Sequence, residues 1–157
     1  MDKKTVETLV GKALTARGFK KKGTTWYRQV QDVLQVVNLQ KSSWGASFYL
    51  NLAFVPEGMS VEGLPRPKHY KCPIGLRLDS AYPDKEKLIE RLLRYEEVEM
   101  SDEQRTAGIE KMFREMVLPF MERLQTVDDL KQAIEDGTLN RSALDFAAKK
   151  HLGLPLE

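Results

Sequence analysis

The chain has 157 residues and a net charge of +2 at pH 7, with 41% hydrophobic and 31% charged residues. This length and composition predict one soluble domain, residues 1–157, that buries a real core. No apolar stretch approaches the roughly 18 residues of a membrane helix, and the charged N-terminus is unlike a secretory signal. The single cysteine excludes an internal disulfide, so we expect a reducing, cytoplasmic compartment.

The two halves of the chain differ in charge. Residues 1–80 hold 13 Lys and Arg against 6 Asp and Glu, a net charge of +7, and residues 81–157 have a net charge of −5. Such an asymmetry indicates either a charged partner or two elements that attract each other. The sequence alone favours the second explanation.

Residues 3–16 predict an amphipathic helix, followed by a turn at Gly18 that returns Phe19 to the core. We expect this helix to cover the apolar face of a sheet. Residues 20–22 are three lysines, and they predict a solvated connector rather than a phosphate site. Apolar residues recur at the spacing of one helical face: Val6, Leu9, Val10, Ala13 and Leu14.

Four segments rich in β-branched and aromatic residues predict an antiparallel sheet. A two-residue turn after Val30 pairs Trp26 with Val37. A four-residue loop at 42–45 pairs Val37 with Leu50 and gives a consistent row across three strands. The predicted strands are 24–31, 33–41, 46–55 and 74–78.

This register divides the sheet into two faces, because strand side chains alternate. One face is apolar, and Arg28 and Gln35 at one end of it predict contact with solvent there. The other face has a row of polar side chains beside a charged neighbour: Asn38, Gln40, Tyr49, Asn51 and Arg77.

Proline and glycine residues between 56 and 73 predict a long irregular loop, and long ordered loops often serve function. The C-terminal half predicts helices at 84–95 and 102–124, the second with a capping box at Ser101 and a kink at Pro119. Thr126 is expected to begin a further helix, and Asn140 or Ser142 a last one. Strands in one block and helices in another predict an α+β fold.

Several motifs of the first half resemble a known family. They are Gly18-Phe19-Lys20-Lys21-Lys22, Tyr27, Asn38-Leu39-Gln40-Lys41-Ser42, Trp44-Gly45, Phe48-Tyr49 and Asn51. Over roughly residues 5–80 the chain resembles the bacterial domain-of-unknown-function family 4304. The resemblance implies a small soluble bacterial domain without an assigned activity, of a broad class in which some members resemble immunity partners of secreted toxins.

The polar row is one candidate binding site, because amides and a phenol offer directional hydrogen bonds without charge. The alternative is that the C-terminal helices cover it and the amides satisfy local backbone groups. Trp44, beside Gly45 at the hairpin tip, is typical of an interface anchor.

Catalytic and metal chemistry is less well supported. A zinc site needs about four ligands, and His69, Cys72 and His151 are too few, so no metal and no cofactor is expected. A thiol nucleophile at Cys72, assisted by His69 or His151 and with Lys71 lowering its pKa, is an alternative to an ordinary structural cysteine.

The favoured hypothesis is a non-enzymatic protein-interaction module, toxin-immunity-like, that holds a partner through Trp44 and the loop at 56–73. A small-ligand pocket or unrecognised enzyme on the polar row is one alternative. A second alternative is a nucleic-acid binder, because basic residues lie among the aromatic residues Trp26, Tyr27 and Trp44. Those basic residues are Lys20, Lys21, Lys22, Lys41, Arg66, Lys68 and Lys71.

Overall fold

The computed structural model describes residues 1–96, 99–140 and 142–156. In these residues one antiparallel sheet of six strands follows the order of the chain. The α+β class is confirmed, but the predicted number of about four strands is too low. The strands are β1 Lys20–Lys22, β2 Thr25–Val30, β3 Val33–Lys41, β4 Phe48–Pro56, β5 Ile74–Arg77 and β6 Ala143–Leu144.

The two strands that the sequence missed lie at the sheet edges. β1 is the lysine run that predicted a connector, and it pairs with β2 through Lys20 opposite Tyr27. β6 pairs Ala143 with Gly75 of β5, a partner so distant along the chain that no local pattern indicates it. The last helix therefore begins later than predicted, and Asp145 caps it in place of Asn140 or Ser142.

The register between β2 and β3 is as predicted, with Trp26 opposite Val37. The register between β3 and β4 is wrong by two residues, because Val37 faces Leu52 and not Leu50. The loop between these strands spans 42–47 and is longer than the four residues predicted. A slip of two leaves every side chain on its predicted face, since the side-chain period of a strand is also two.

The helices are α1 Lys3–Thr15, α2 Leu78–Ala81, α3 Glu86–Leu92, α4 Asp102–Met112, α5 Leu118–Glu122, α6 Val127–Glu135 and α7 Phe146–His151. The capping box at Ser101 and Gln104 is present. The predicted helix 102–124 is interrupted by a π-helical turn at Phe113–Val117, immediately before α5. Pro119, in the first turn of α5, has no N–H to continue the regular ladder, which explains a break near this point.

The apolar face of the sheet and the helices share one core, and we call this side of the sheet the helical face. α1 covers it as predicted, since Val6, Val10 and Leu14 are fully buried. Gly11 lets α1 approach closely, because a Cβ there would lie 3.3 Å from Cζ2 of Trp26.

The polar end of the helical face is closed, contrary to the prediction of solvent contact. Gln35 is fully buried, and its Nε2 donates to the carbonyl oxygens of Met121 at 2.7 Å and Leu124 at 2.9 Å. Its Oε1 accepts from Arg28, which also forms an ion pair with Glu122 at 3.3 Å. The end of α5 therefore supplies the hydrogen-bond partners of Gln35, whereas the sequence analysis predicted that water would supply them.

Candidate functional site

The opposite side of the sheet, which we call the open face, has a small apolar cluster that, among the described residues, is packed by a loop and not by α-helices. The long loop after β4 covers one half of it, where Met59, Val61 and Cys72 pack on the strands. Tyr27 fixes this loop, because its hydroxyl donates to the carbonyl oxygen of Pro67 at 2.9 Å. The other half of the open face lies beyond the loop.

The predicted polar row lies on that second half, joined by side-chain hydrogen bonds. Asn51 is central: its Nδ2 donates to Oδ1 of Asn38 at 3.0 Å and to Oε1 of Gln40 at 2.9 Å. Asn38 in turn donates to Oγ1 of Thr25 at 2.9 Å. The amides therefore form hydrogen bonds with neighbouring side chains of the sheet rather than with the backbone of a covering helix. The pairing of the strands keeps the spacing of these side chains fixed.

Arg77 of β5 lies directly opposite Asn51 in the sheet. Its guanidinium carbon is 3.9 Å from the centre of the Tyr49 ring, which is a cation–π arrangement. Stacking on the ring orients the guanidinium along the sheet surface. The row therefore has a positive charge beside neutral hydrogen-bonding groups.

A groove of about 710 Å³ lies above this row, within the range of ligand-binding sites. Loop residues form one wall of it, including His69 and Tyr70, which sequence reasoning did not place at the site. The density of proline residues predicted the loop itself. No local sequence pattern indicates where the C-terminal end of the loop packs. The groove is lined by Thr24, Thr25, Asn38, Leu39, Gln40, Lys41, Asn51, Lys68, His69, Tyr70 and Arg77.

Trp44 does not line this groove. It lies in the loop between β3 and β4, where 94% of its surface is exposed. A separate groove of about 440 Å³ beside it is lined by Tyr49, Glu90, Arg94 and other residues of the loop and of the segment around α3.

The environment of Cys72 does not favour a thiol nucleophile. Burial raises the pKa of the Cys72 thiol to about 12, so the reactive thiolate is scarce at neutral pH. Lys71 does not counter this effect, because it forms an ion pair with Glu62 at 3.3 Å. Burial also lowers the pKa of His69, which keeps its imidazole neutral.

The residues best able to hold a metal ion are three carboxylates that sequence reasoning missed. Asp79 of α2 and Glu86 and Glu90 of α3 bring oxygens within 4.8 Å of one another. Oxygen ligands of this kind suit hard cations. Glu86 and Glu90 are exposed, as acidic groups on surface helices commonly are without an ion.

Residues 10–123 match the family described as "Domain of unknown function (DUF4304)". The chain belongs to the DUF4304 family. The match continues past residue 80, where the resemblance ended, and includes α4 and α5, so these two helices of the helical face are part of the family's domain. Comparison with curated proteins and with solved structures finds no match. In the described residues, no helix of this DUF4304 protein has the length and apolar character required to cross a membrane.

Proposed function

We propose that this DUF4304 protein is a non-enzymatic protein-interaction module that holds its partner by the tip of the β3–β4 hairpin. The exposure of Trp44, 94%, is the observation that supports this function. Tryptophan is enriched among the residues that dominate binding energy, because one rigid side chain buries a large apolar area. The next most exposed large apolar side chains are Tyr70 at 63% and Phe146 at 62%.

Backbone hydrogen bonds fix the base of the loop that carries Trp44, which limits the positions that the hairpin tip can adopt. Ser42 N–H donates to the carbonyl oxygen of Ser47 at 2.9 Å, and Tyr95 N–H donates to that of Ala46 at 2.8 Å. Phe48 N–H donates to the carbonyl oxygen of Leu93. A preorganised loop loses less conformational entropy on binding, which favours affinity.

The test is the variant Trp44→Ala in a tagged chain used to capture proteins from a lysate of the source organism. We expect the variant to fold normally and the captured partner to bind about 30-fold more weakly, as expected for an anchor residue. Phe146→Ala is the matched control, because it removes an exposed aromatic ring from α7, away from the hairpin tip.

Half of each lysate is treated with nuclease, so that a protein held through nucleic acid is distinguished from a direct partner. Equal capture by Trp44→Ala and the unchanged protein would refute the proposal. Unfolding of Trp44→Ala would show that the indole belongs to the core.

A second candidate function is the binding of a small polar ligand at the polar row. In the part of the chain that the structure describes, Gln40 Nε2 and Asn51 Oδ1 make no hydrogen bond, so both are available in the groove. A small molecule retained in native mass spectrometry and lost in Asn51→Ala would support this function. An apoprotein mass in both samples would argue against it.

A further inference from the structure

The basic residues of the open face converge on two connected grooves. A second groove, of about 680 Å³, adjoins the first, and the two share Thr25, Lys68 and Tyr70. We call their combined basic lining the basic track. It consists of Lys22, Lys41, Arg66, Lys68, Lys71 and Arg77.

The net charge of the basic track exceeds the net charge of the whole protein. Its six cations face one lining carboxylate, Glu62, which leaves a net charge of +5. Because the chain carries +2, all other residues together carry −3. Within the described residues, Lys71 with Glu62 is the only ion pair on the track.

Attraction between the two halves of the chain does not explain this charge. Among the ion pairs of residues 1–96, 99–140 and 142–156, two join the first 80 residues to the rest: Met1 with Asp102, and Arg28 with Glu122. Neither involves a residue of the basic track. The positive field therefore points to solvent, where it favours an anionic partner.

Aromatic and amide groups lie along the same track. Tyr70 is 63% exposed and lines both grooves, with Lys68 Nζ 5.9 Å from the centre of its ring. The ring of His69 stands edge-on to it, 5.4 Å between centroids. Exposed rings between cations stack unpaired bases. Of the three aromatic residues that the sequence suggested for this role, Trp26 and Tyr27 are buried, and Trp44 lines neither groove.

We propose that the basic track binds a single strand of nucleic acid laid across the open face. Four cations of the track contact successive phosphates, namely Lys22, Arg66, Lys68 and Arg77, and a base stacks on Tyr70. The free amide atoms of Gln40 and Asn51 are placed to hydrogen-bond base edges, which only an unpaired strand exposes fully. A strand of several nucleotides fits two joined open grooves better than a single small anion does.

The test is fluorescence anisotropy with a labelled single-stranded oligonucleotide of about 12 nucleotides between 50 and 200 mM salt, an appropriate length for such a site. If four phosphates are neutralised, Kd is expected to rise about 50-fold over this range. In Lys68→Ala/Arg77→Ala, two contacts are lost and the rise is expected to fall to about 7-fold. Lys87→Ala/Arg91→Ala removes the same two charge types from α3 and is expected to keep the 50-fold rise.

The variant Tyr70→Ala separates the contribution of base stacking to the affinity from the contribution of charge. We expect about 10-fold weaker binding at every salt concentration, with the salt dependence unchanged because no charge is lost. Trp44→Ala is expected to bind the oligonucleotide normally, so this proposal and the protein-interaction proposal fail independently.

Four outcomes would overturn the inference. The first is no binding at 50 mM salt, and the second is equally tight binding of polyglutamate or of a duplex. The third is equally tight binding of a nucleoside monophosphate, which would assign the groove to a small ligand. The fourth is equal salt dependence in the two double variants, which would show that the strand does not bind at the basic track.

Discussion

The two faces of the sheet use buried amide side chains in different ways. On the helical face, Gln35 is fully buried and bonds to carbonyl oxygens of Met121 and Leu124, more than 80 residues away. On the open face, Asn51 is 7% exposed and bonds to Asn38 and Gln40 on the neighbouring strand. The first amide joins sheet to helix, and the second joins strand to strand.

This difference shows that the Gln35 amide is enclosed by the fold, whereas the Asn51 amide faces a groove. Gln35 has its amide donors and its carbonyl acceptor engaged, so no group is left for a ligand. Asn51 lines a groove, and no group of the described residues bonds to its Oδ1. A polar residue in a strand thus acquires its role from the layer that covers it, because an uncovered group retains free hydrogen-bonding capacity.

The largest effect is expected from the apolar part of the helical face. Trp26→Ala removes a fully buried indole that packs against Gly11 of α1 and should lower the free energy of unfolding by about 3–5 kcal/mol. Denaturant titration measures this change. The other tryptophan is the control, since Trp44→Ala should change stability by less than about 0.5 kcal/mol.

A smaller effect is expected from the amide of the helical face. Gln35→Ala should cost about 2–3 kcal/mol, because it leaves buried carbonyl oxygens and the Arg28 guanidinium without a partner. Gln29→Ala, at an exposed position of β2, should cost less than about 0.5 kcal/mol in the same titration. A similar loss of unfolding free energy in both variants would contradict the conclusion that this end of the helical face is closed to solvent.

The smallest effect is expected on the open face. Asn51→Ala should lower stability by about 1 kcal/mol, because net hydrogen-bond contributions are modest where water can replace the partner. A double-mutant cycle with Asn38→Ala should give a coupling energy of about 0.5–1 kcal/mol. A coupling near zero would show that the two amides do not interact in solution.

Several features of this protein were determined by local sequence. The helix before Gly18 and the capping box at Ser101 rest on residues a few positions apart. The turn between β2 and β3 is also local, and its register was predicted correctly. Asn38 and Asn51 were assigned correctly to one face despite a two-residue error in register. Side chains alternate between the faces at every residue, so a shift by an even number of residues leaves each side chain on the same face.

Other features were decided by tertiary structure, because their partners are distant along the chain. Nothing near Gln35 in sequence indicates that the end of α5 supplies its hydrogen-bond acceptors. The same holds for β6, which pairs with β5 across more than 60 residues. The packing of the long loop brings Lys68 and Tyr70 beside Asn51 and so joins separate basic residues into one groove. Local periodicity fixes which face a side chain occupies, whereas only the folded chain determines what covers that face.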